Sequence, residues 1–218
     1  MLLRLAKIVV APAHADRIPA EYHAYSETWA RRQSGCLSVR LLRDVVMRNK
    51  FFLLSYWRDE ASMLAAVKGD AFADILAEAR RDFLERLSLW VCDIVDADDD
   101  RALLAARARE VVSRLVKVTV RPGRDADMLA EYYRVTEAFS RRQEGCLRVH
   151  LFRDRQTPNV YFLQSYWRDL VSLRRLLQSP GYDRLRTSTS EYFEERIREW
   201  LLDIVEDDGA LPVYRSVE

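Results

Sequence analysis

The chain has 218 residues, of which 49% are hydrophobic and 32% charged, with a formal net charge of +1. That length accommodates one large domain or two small ones with a core of ordinary size, and the near-neutral balance removes the surplus of Lys and Arg on which nucleic-acid binding depends. No apolar run approaches the roughly 20 residues that span a bilayer, and the first residues enter a charged, strand-like segment rather than a leader peptide, so no membrane partner and a cytoplasmic location are expected.

In chain order, residues 4–10 are β-rich and end at Pro12, which cannot donate to a ladder. Ile18, Tyr22, Tyr25 and Trp29 then recur at helical spacing and predict a helix with one apolar face. Arg31 and Arg32 fit its last turn, where cations complement the carbonyl end, and Gly35 fits a left-handed stop. Residues 37–44 and 51–57 read as an antiparallel pair joined by a short polar connection over 46–50. Asp59 is a candidate N-cap for the next helical stretch; a less regular helical segment is expected over 71–86 and a closing strand over 89–95. An acidic run, Asp98-Asp99-Asp100, precedes the alanine-rich stretch 102–112, which predicts a linking helix.

The elements then begin again. Arg31-Arg32-Gln33-Ser34-Gly35-Cys36-Leu37 is matched by Arg141-Arg142-Gln143-Glu144-Gly145-Cys146-Leu147, and Ser55-Tyr56-Trp57-Arg58-Asp59 by Ser165-Tyr166-Trp167-Arg168-Asp169. Without a gap, the repeats share about 36 identities in about 95 positions, which establishes a tandem duplication. The expected organisation is a first repeat over 1–97, a linking helix over 98–113, a second repeat over 114–208 and an irregular tail over 209–218. Each repeat predicts a ferredoxin-like α+β half, a four-stranded antiparallel sheet with helices on one face. Covering each sheet's other face with its sister gives an intramolecular pseudo-dimeric α+β barrel. The expectation is a monomer with an internal two-fold, with a higher oligomer left open.

By the period of two, Trp57 shares a strand face with Phe51, Leu53 and Ser55, and Trp167 with Tyr161, Leu163 and Ser165. If that face meets the helix, it looks towards Tyr22, Tyr25 and Trp29 in the first repeat and towards Tyr132, Val135 and Phe139 in the second. These residues make either a cavity for a flat aromatic ligand or ordinary core packing. Candidate substrate-binding residues are therefore Tyr22, Tyr25, Trp29, Phe51, Ser55, Trp57, Tyr132, Phe139, Ser165 and Trp167. No catalytic group is identified outright; Trp57, Trp167 and His150 are the candidates, with His150 more readily read as paired with a carboxylate or facing the inter-sheet surface. Cys36, Cys92 and Cys146 are odd in number and lack metal-ligand spacing, so neither a disulfide framework nor a metal site is expected. The pocket positions differ between repeats: Tyr25 stands against Val135, Trp29 against Phe139, His23 against Tyr133 and Leu54 against Gln164. Two unequal pockets follow.

The helix ending in Gly-Cys-Leu, the hairpin, and the strand ending in Tyr-Trp before an acidic helix start resemble the antibiotic biosynthesis monooxygenase family of the dimeric α+β barrels, over nearly the whole of each repeat. The resemblance implies a pocket between sheet and helices, lined by the strand-ending Trp. It also implies cofactor-independent oxidation by O₂ of an aromatic polyketide-like phenol, anthrone or hydroquinone in antibiotic biosynthesis. Reduced flavin is the alternative cofactor. Haem is disfavoured, because haem-degrading members carry a His about ten residues after that Trp, where this chain has Val67 and Leu177. Many members also have a Glu two residues before the Trp, where Ser55 and Ser165 stand. A polyketide cyclase or isomerase, or a non-enzymatic binding protein, would use the same pocket.

Overall fold

The computed structural model describes residues 1–97, 111–135 and 139–207, without the side chains of residues 27, 28, 206 and 207. The first repeat runs β1 (Leu2–Val9), α1 (Ile18–Thr28), β2 (Cys36–Asp44), β3 (Lys50–Trp57), α2 (Glu60–Val67), α3 (Asp70–Ala79) and β4 (Ser88–Ala97). The second runs β5 (Val112–Thr119), α4 (Asp125–Val135), β6 (Cys146–Asp154), β7 (Val160–Trp167), α5 (Leu170–Leu177), α6 (Pro180–Thr189) and β8 (Arg198–Asp207). The fold is α+β, and the strands form an antiparallel closed barrel in the order β1-β3-β2-β8-β5-β7-β6-β4. None of the helices among the described residues is long and apolar enough to cross a membrane.

The duplication extends to the hydrogen-bond register. Leu2 lies opposite Trp57 and Val9 opposite Lys50; Val112 lies opposite Trp167 and Thr119 opposite Val160. Each repeat carries a bulge at the start of its second strand, between Cys36 and Ser38 and between Cys146 and Arg148. That extra residue bends the strand locally.

Local chemistry explains the joints. Gly35 and Gly145 have φ of +84° and +85°, a conformation that favours glycine, and a Cβ at either would collide with the side chain of Ser62 or Ser172. The carboxylate of Asp59 accepts the amide of Ser62 at 2.7 Å, and Asp169 that of Ser172 at 2.7 Å, so both expected N-caps form.

Three expectations are corrected. Arg31 and Arg32 lie in a separate 3₁₀ turn, because α1 stops at Thr28. The helical segment expected over 71–86 starts at Asp70 and ends at Ala79; a 3₁₀ turn follows over Arg80–Asp82, and Phe83 forms a bridge with Val10. Val112 and Ser113, assigned to a linking helix, open β5, where pairing with Trp167 and Tyr166 outweighs helical propensity. The rest of that expected helix, 98–110, and the expected tail, 209–218, lie outside the described residues. Two compact units divide the chain: Met1–Asp93 groups with the stretch from Leu202 onward, and Ile94–Leu201 forms the other unit, so the last strand of each repeat is divided between them. Thus β2 pairs with β8, Asp44 opposite Leu202 and Arg40 opposite Asp207.

Candidate functional site

The helix-facing side of each sheet was the expected pocket wall, and the two units use it differently. In the first unit it is filled. Tyr22, Trp29, Phe51, Trp57 and Phe72 are buried in one cluster, with Tyr25 packed against it. The Tyr25 and Trp29 rings stack at 5.3 Å, and Trp29 meets Phe72 at 5.1 Å. The Ser55 hydroxyl accepts the Trp57 indole N–H at 3.0 Å, so it anchors the Trp within this core. The aromatic set that the sequence offered as a cavity lining in this repeat is stacked upon itself.

In the second unit the same face borders a cavity of about 800 Å³. Its floor is built by alternate residues of three strands: Arg114, Val116 and Val118 of β5, Val149 and Leu151 of β6, and Leu163, Ser165 and Trp167 of β7. Met128, Tyr132 and Val135 of α4 form one wall; Tyr182, Arg186 and Thr189, on one face of α6, form another. Val135 stands where the first repeat has the Tyr25 ring, which leaves room. Phe139, the counterpart of Trp29, packs with Trp167 and Tyr182 in a side cluster. There it lies so close to Gly181 that a Cβ would come within 2.7 Å of its ring.

The polar chemistry of the cavity centres on Arg114, which is 6% exposed. Its Nε donates to Glu199 of β8, an Nη donates to the Tyr182 hydroxyl, and its guanidinium lies 5.3 Å from the centre of the Tyr182 ring. Burial pushes the Tyr182 phenol above its ordinary pKa, with Arg114 opposing and Glu199 adding to the shift. The phenol is therefore neutral near pH 7, accepts from Arg114, and keeps its own O–H to donate. On the opposite wall the Tyr132 hydroxyl donates to Asp96 at 2.9 Å. Glu131, also at the wall, is held below the usual carboxylate range by its hydrogen bond from Arg134.

Of the second-repeat candidates, Tyr132, Ser165 and Trp167 line this cavity, whereas Phe139 stands behind it. The Ser165 hydroxyl accepts the Trp167 indole N–H at 2.9 Å. His150 is fully buried on the other side of the sheet, where it accepts from Arg148 Nε and meets Phe152 edge-on at 5.5 Å. Sequence reasoning missed Arg114, Tyr182 and Glu199. A signal existed: an Arg sits mid-strand in both repeats, and only the second has a Tyr for Phe72 and a Glu for Leu89.

The sequence profile of the family described as antibiotic biosynthesis monooxygenase matches residues 1–78 and again 111–187. The chain belongs to that family. Membership carries a general monooxygenase-type role. No curated protein matches the chain significantly. Among solved structures, a provisionally named monooxygenase from Fusobacterium nucleatum superposes with a TM-score of 0.79 at 16% identity, covering 99% of this chain and 98% of that one. An anthrone oxidase-like protein gives 0.78 at 12% identity, with 100% and 96% covered. A provisionally named monooxygenase from Lactobacillus acidophilus gives 0.68 at 12% identity, with 96% and 97% covered. At these identities the likeness establishes the shared fold.

The two positions at which the family resemblance would place a haem-ligating His carry no donor. Val67 packs against the core of the first unit and Leu177 against the Trp167 cluster, and neither side chain can donate to a metal.

Proposed function

We propose that the second-repeat cavity oxidises an electron-rich polycyclic phenol or anthrone with O₂ and without a redox cofactor. The observation that carries this reading is the Arg114–Tyr182–Glu199 cluster set into an otherwise apolar, aromatic-edged cavity. Trp167, Leu163 and Val116 offer flat apolar surface to the ring system, and the cluster offers both a proton acceptor and an oxyanion site at one end.

Glu199 accepts the acidic proton of the substrate. The resulting oxyanion is held by the Tyr182 O–H and the Arg114 guanidinium, whose hydrogen bond polarises that phenol. The electron-rich anion gives one electron to O₂, and the substrate radical and superoxide combine into a peroxide at carbon. The peroxide takes back the proton and loses water. One oxygen atom becomes the new carbonyl and the other leaves as water, so a methylene plus O₂ yields a quinone carbonyl plus water. The protein supplies position, charge stabilisation and exclusion of bulk water.

Quinone absorbance and O₂ uptake with an anthrone, under air and under argon, test this directly. Turnover that stops under argon is expected; turnover indifferent to argon would assign the cavity to a cyclase or isomerase instead. Arg114→Met removes the oxyanion charge and is expected to lower kcat/KM by about 10²–10³-fold, as loss of one preorganised donor does.

A further inference from the structure

Charge on the lining of the second-repeat cavity is offset at every position but one. Arg114 is paired with Glu199, Glu131 with Arg134, and Glu195 is followed directly by Arg196. Arg186 is the exception: among the described residues no carboxylate is ion-paired with it. Tyr182 and Arg186, four residues apart, project from the same face of α6 onto the cavity. Burial pushes the Tyr182 phenol up, and Arg114 and then Arg186 oppose that shift, so both guanidiniums lie near its hydroxyl. At the position of Arg186 the first repeat has Leu76, packed against the filled core. The added cation stands only where the fold leaves a cavity.

We propose that Arg186 sets the substrate class of this cavity: a phenol or anthrone that carries a carboxylate on the same edge of its ring system as the oxygen held by Tyr182. The inference rests on the oxidation proposed above and narrows it. A guanidinium fork matches a carboxylate bidentately, and a carboxylic acid is ionised at neutral pH. Arg114 shares its charge with Glu199 and serves the oxyanion that forms during the reaction; Arg186 takes the charge that the substrate brings with it. The rest of the ring system then lies over Val116, Val118, Leu151 and Leu163, the aliphatic part of the floor. Two polar contacts on one edge and an apolar floor under the other fix which ring carbon meets O₂. Arg186 also reaches solvent, so its bond to the acid is partly screened and worth about 5–10-fold in affinity.

The test is calorimetric titration of the full chain under argon with 3-hydroxy-2-naphthoate, and with 3-hydroxy-2-naphthamide as the uncharged ligand of the same shape. The acid is expected to bind about 5–10-fold more tightly than the amide at about 0.1 M salt. Arg186→Leu installs the first repeat's own residue at an exposed position, and it is expected to bring the two ligands within about 2-fold of each other; Arg186→Gln is expected to do the same. The proposal is overturned if neither ligand binds, if acid and amide bind the wild type equally, or if the preference survives in both variants, which would assign the carboxylate to another cation of the lining. Binding under argon is read without turnover, so the two proposals fail separately. Preference for the acid with turnover indifferent to argon overturns the oxidation and leaves Arg186 as the anchor of the acid. Argon-sensitive turnover without that preference overturns the role of Arg186 alone.

Discussion

The two repeats share their strand register, their N-caps and their left-handed glycines, yet one encloses a stacked aromatic core and the other a cavity of about 800 Å³. The difference comes from a few side chains on the helix-facing surface. Tyr25, Trp29 and Phe72 fill the first unit by stacking on one another. Val135 withdraws a ring from the corresponding space in the second, and Phe139 packs aside against Gly181. Around the shared arginine four positions turn polar or charged: Phe72, Leu76, Ala79 and Leu89 become Tyr182, Arg186, Thr189 and Glu199. A duplicated frame can thus hold stability in one copy while the other copy opens.

The sharpest way to break this comparison is to remove the two equivalent tryptophans. Both are essentially buried, Trp57 at 2% and Trp167 at 0% exposure, so burial alone predicts equal costs. Packing predicts otherwise. Trp57→Ala empties a filled core and is expected to cost about 3–5 kcal/mol. Trp167 is as fully buried but belongs to the lining of the cavity, whose free volume lets neighbouring side chains relax into the gap, so Trp167→Ala is expected to cost at least about 1 kcal/mol less. Urea unfolding of the two variants measures the difference, and equal losses would mean that the cavity wall is as tightly supported as the core.

A second change carries the first repeat's residue into the second. Val135→Tyr returns the ring that Tyr25 contributes and narrows the cavity beside Met128 and Tyr132. Turnover of an anthrone is expected to fall by about 10-fold or more in kcat/KM, equivalent to about 1.4 kcal/mol, while Tm changes little because the ring enters existing space. Undiminished turnover would move the reaction away from α4.

Much of the frame was legible because it is local. Alternation placed Trp57, Ser55 and Leu53 on one face, Asp59 announced its helix, and Gly35 its left-handed turn, although that turn does not end α1. The crossing of β8 onto β2 was not legible, since pairing Asp44 with Leu202 depends on no local pattern. The site was half legible. The aromatic residues marked the right surface, but whether rings stack or leave a cavity depends on small neighbours such as Gly181. Arg114 escaped notice because a charged residue within a strand reads as facing water. What keeps it inside is Glu199, 85 residues further on. The rule that would have found it is the comparison of repeats at their charged positions.

The smallest expected effect probes the part of the frame that stayed symmetric. Hydrogen bonds from Ser62 hold the Asp59 carboxyl below its ordinary range, chiefly through the hydroxyl and then the amide, and the Ser172 amide does the same for Asp169. A carboxyl depressed in the folded state favours folding when ionised. Its contribution is complete above the ordinary carboxylate pKa of about 3.9 and is lost as pH falls through the lower native value. Both groups are exposed, so solvent screening keeps the effect small. Asn caps a helix nearly as well as Asp but does not titrate. Asp59→Asn and Asp169→Asn should therefore unfold at nearly the wild-type urea midpoint at about pH 7 and lose less than the wild type on going to about pH 3. The difference should be the larger for Asp59→Asn, because the Ser62 hydroxyl leads in holding Asp59 down whereas the Ser172 amide leads at Asp169. Equal differences would show that the serine hydroxyl adds nothing to the cap in solution.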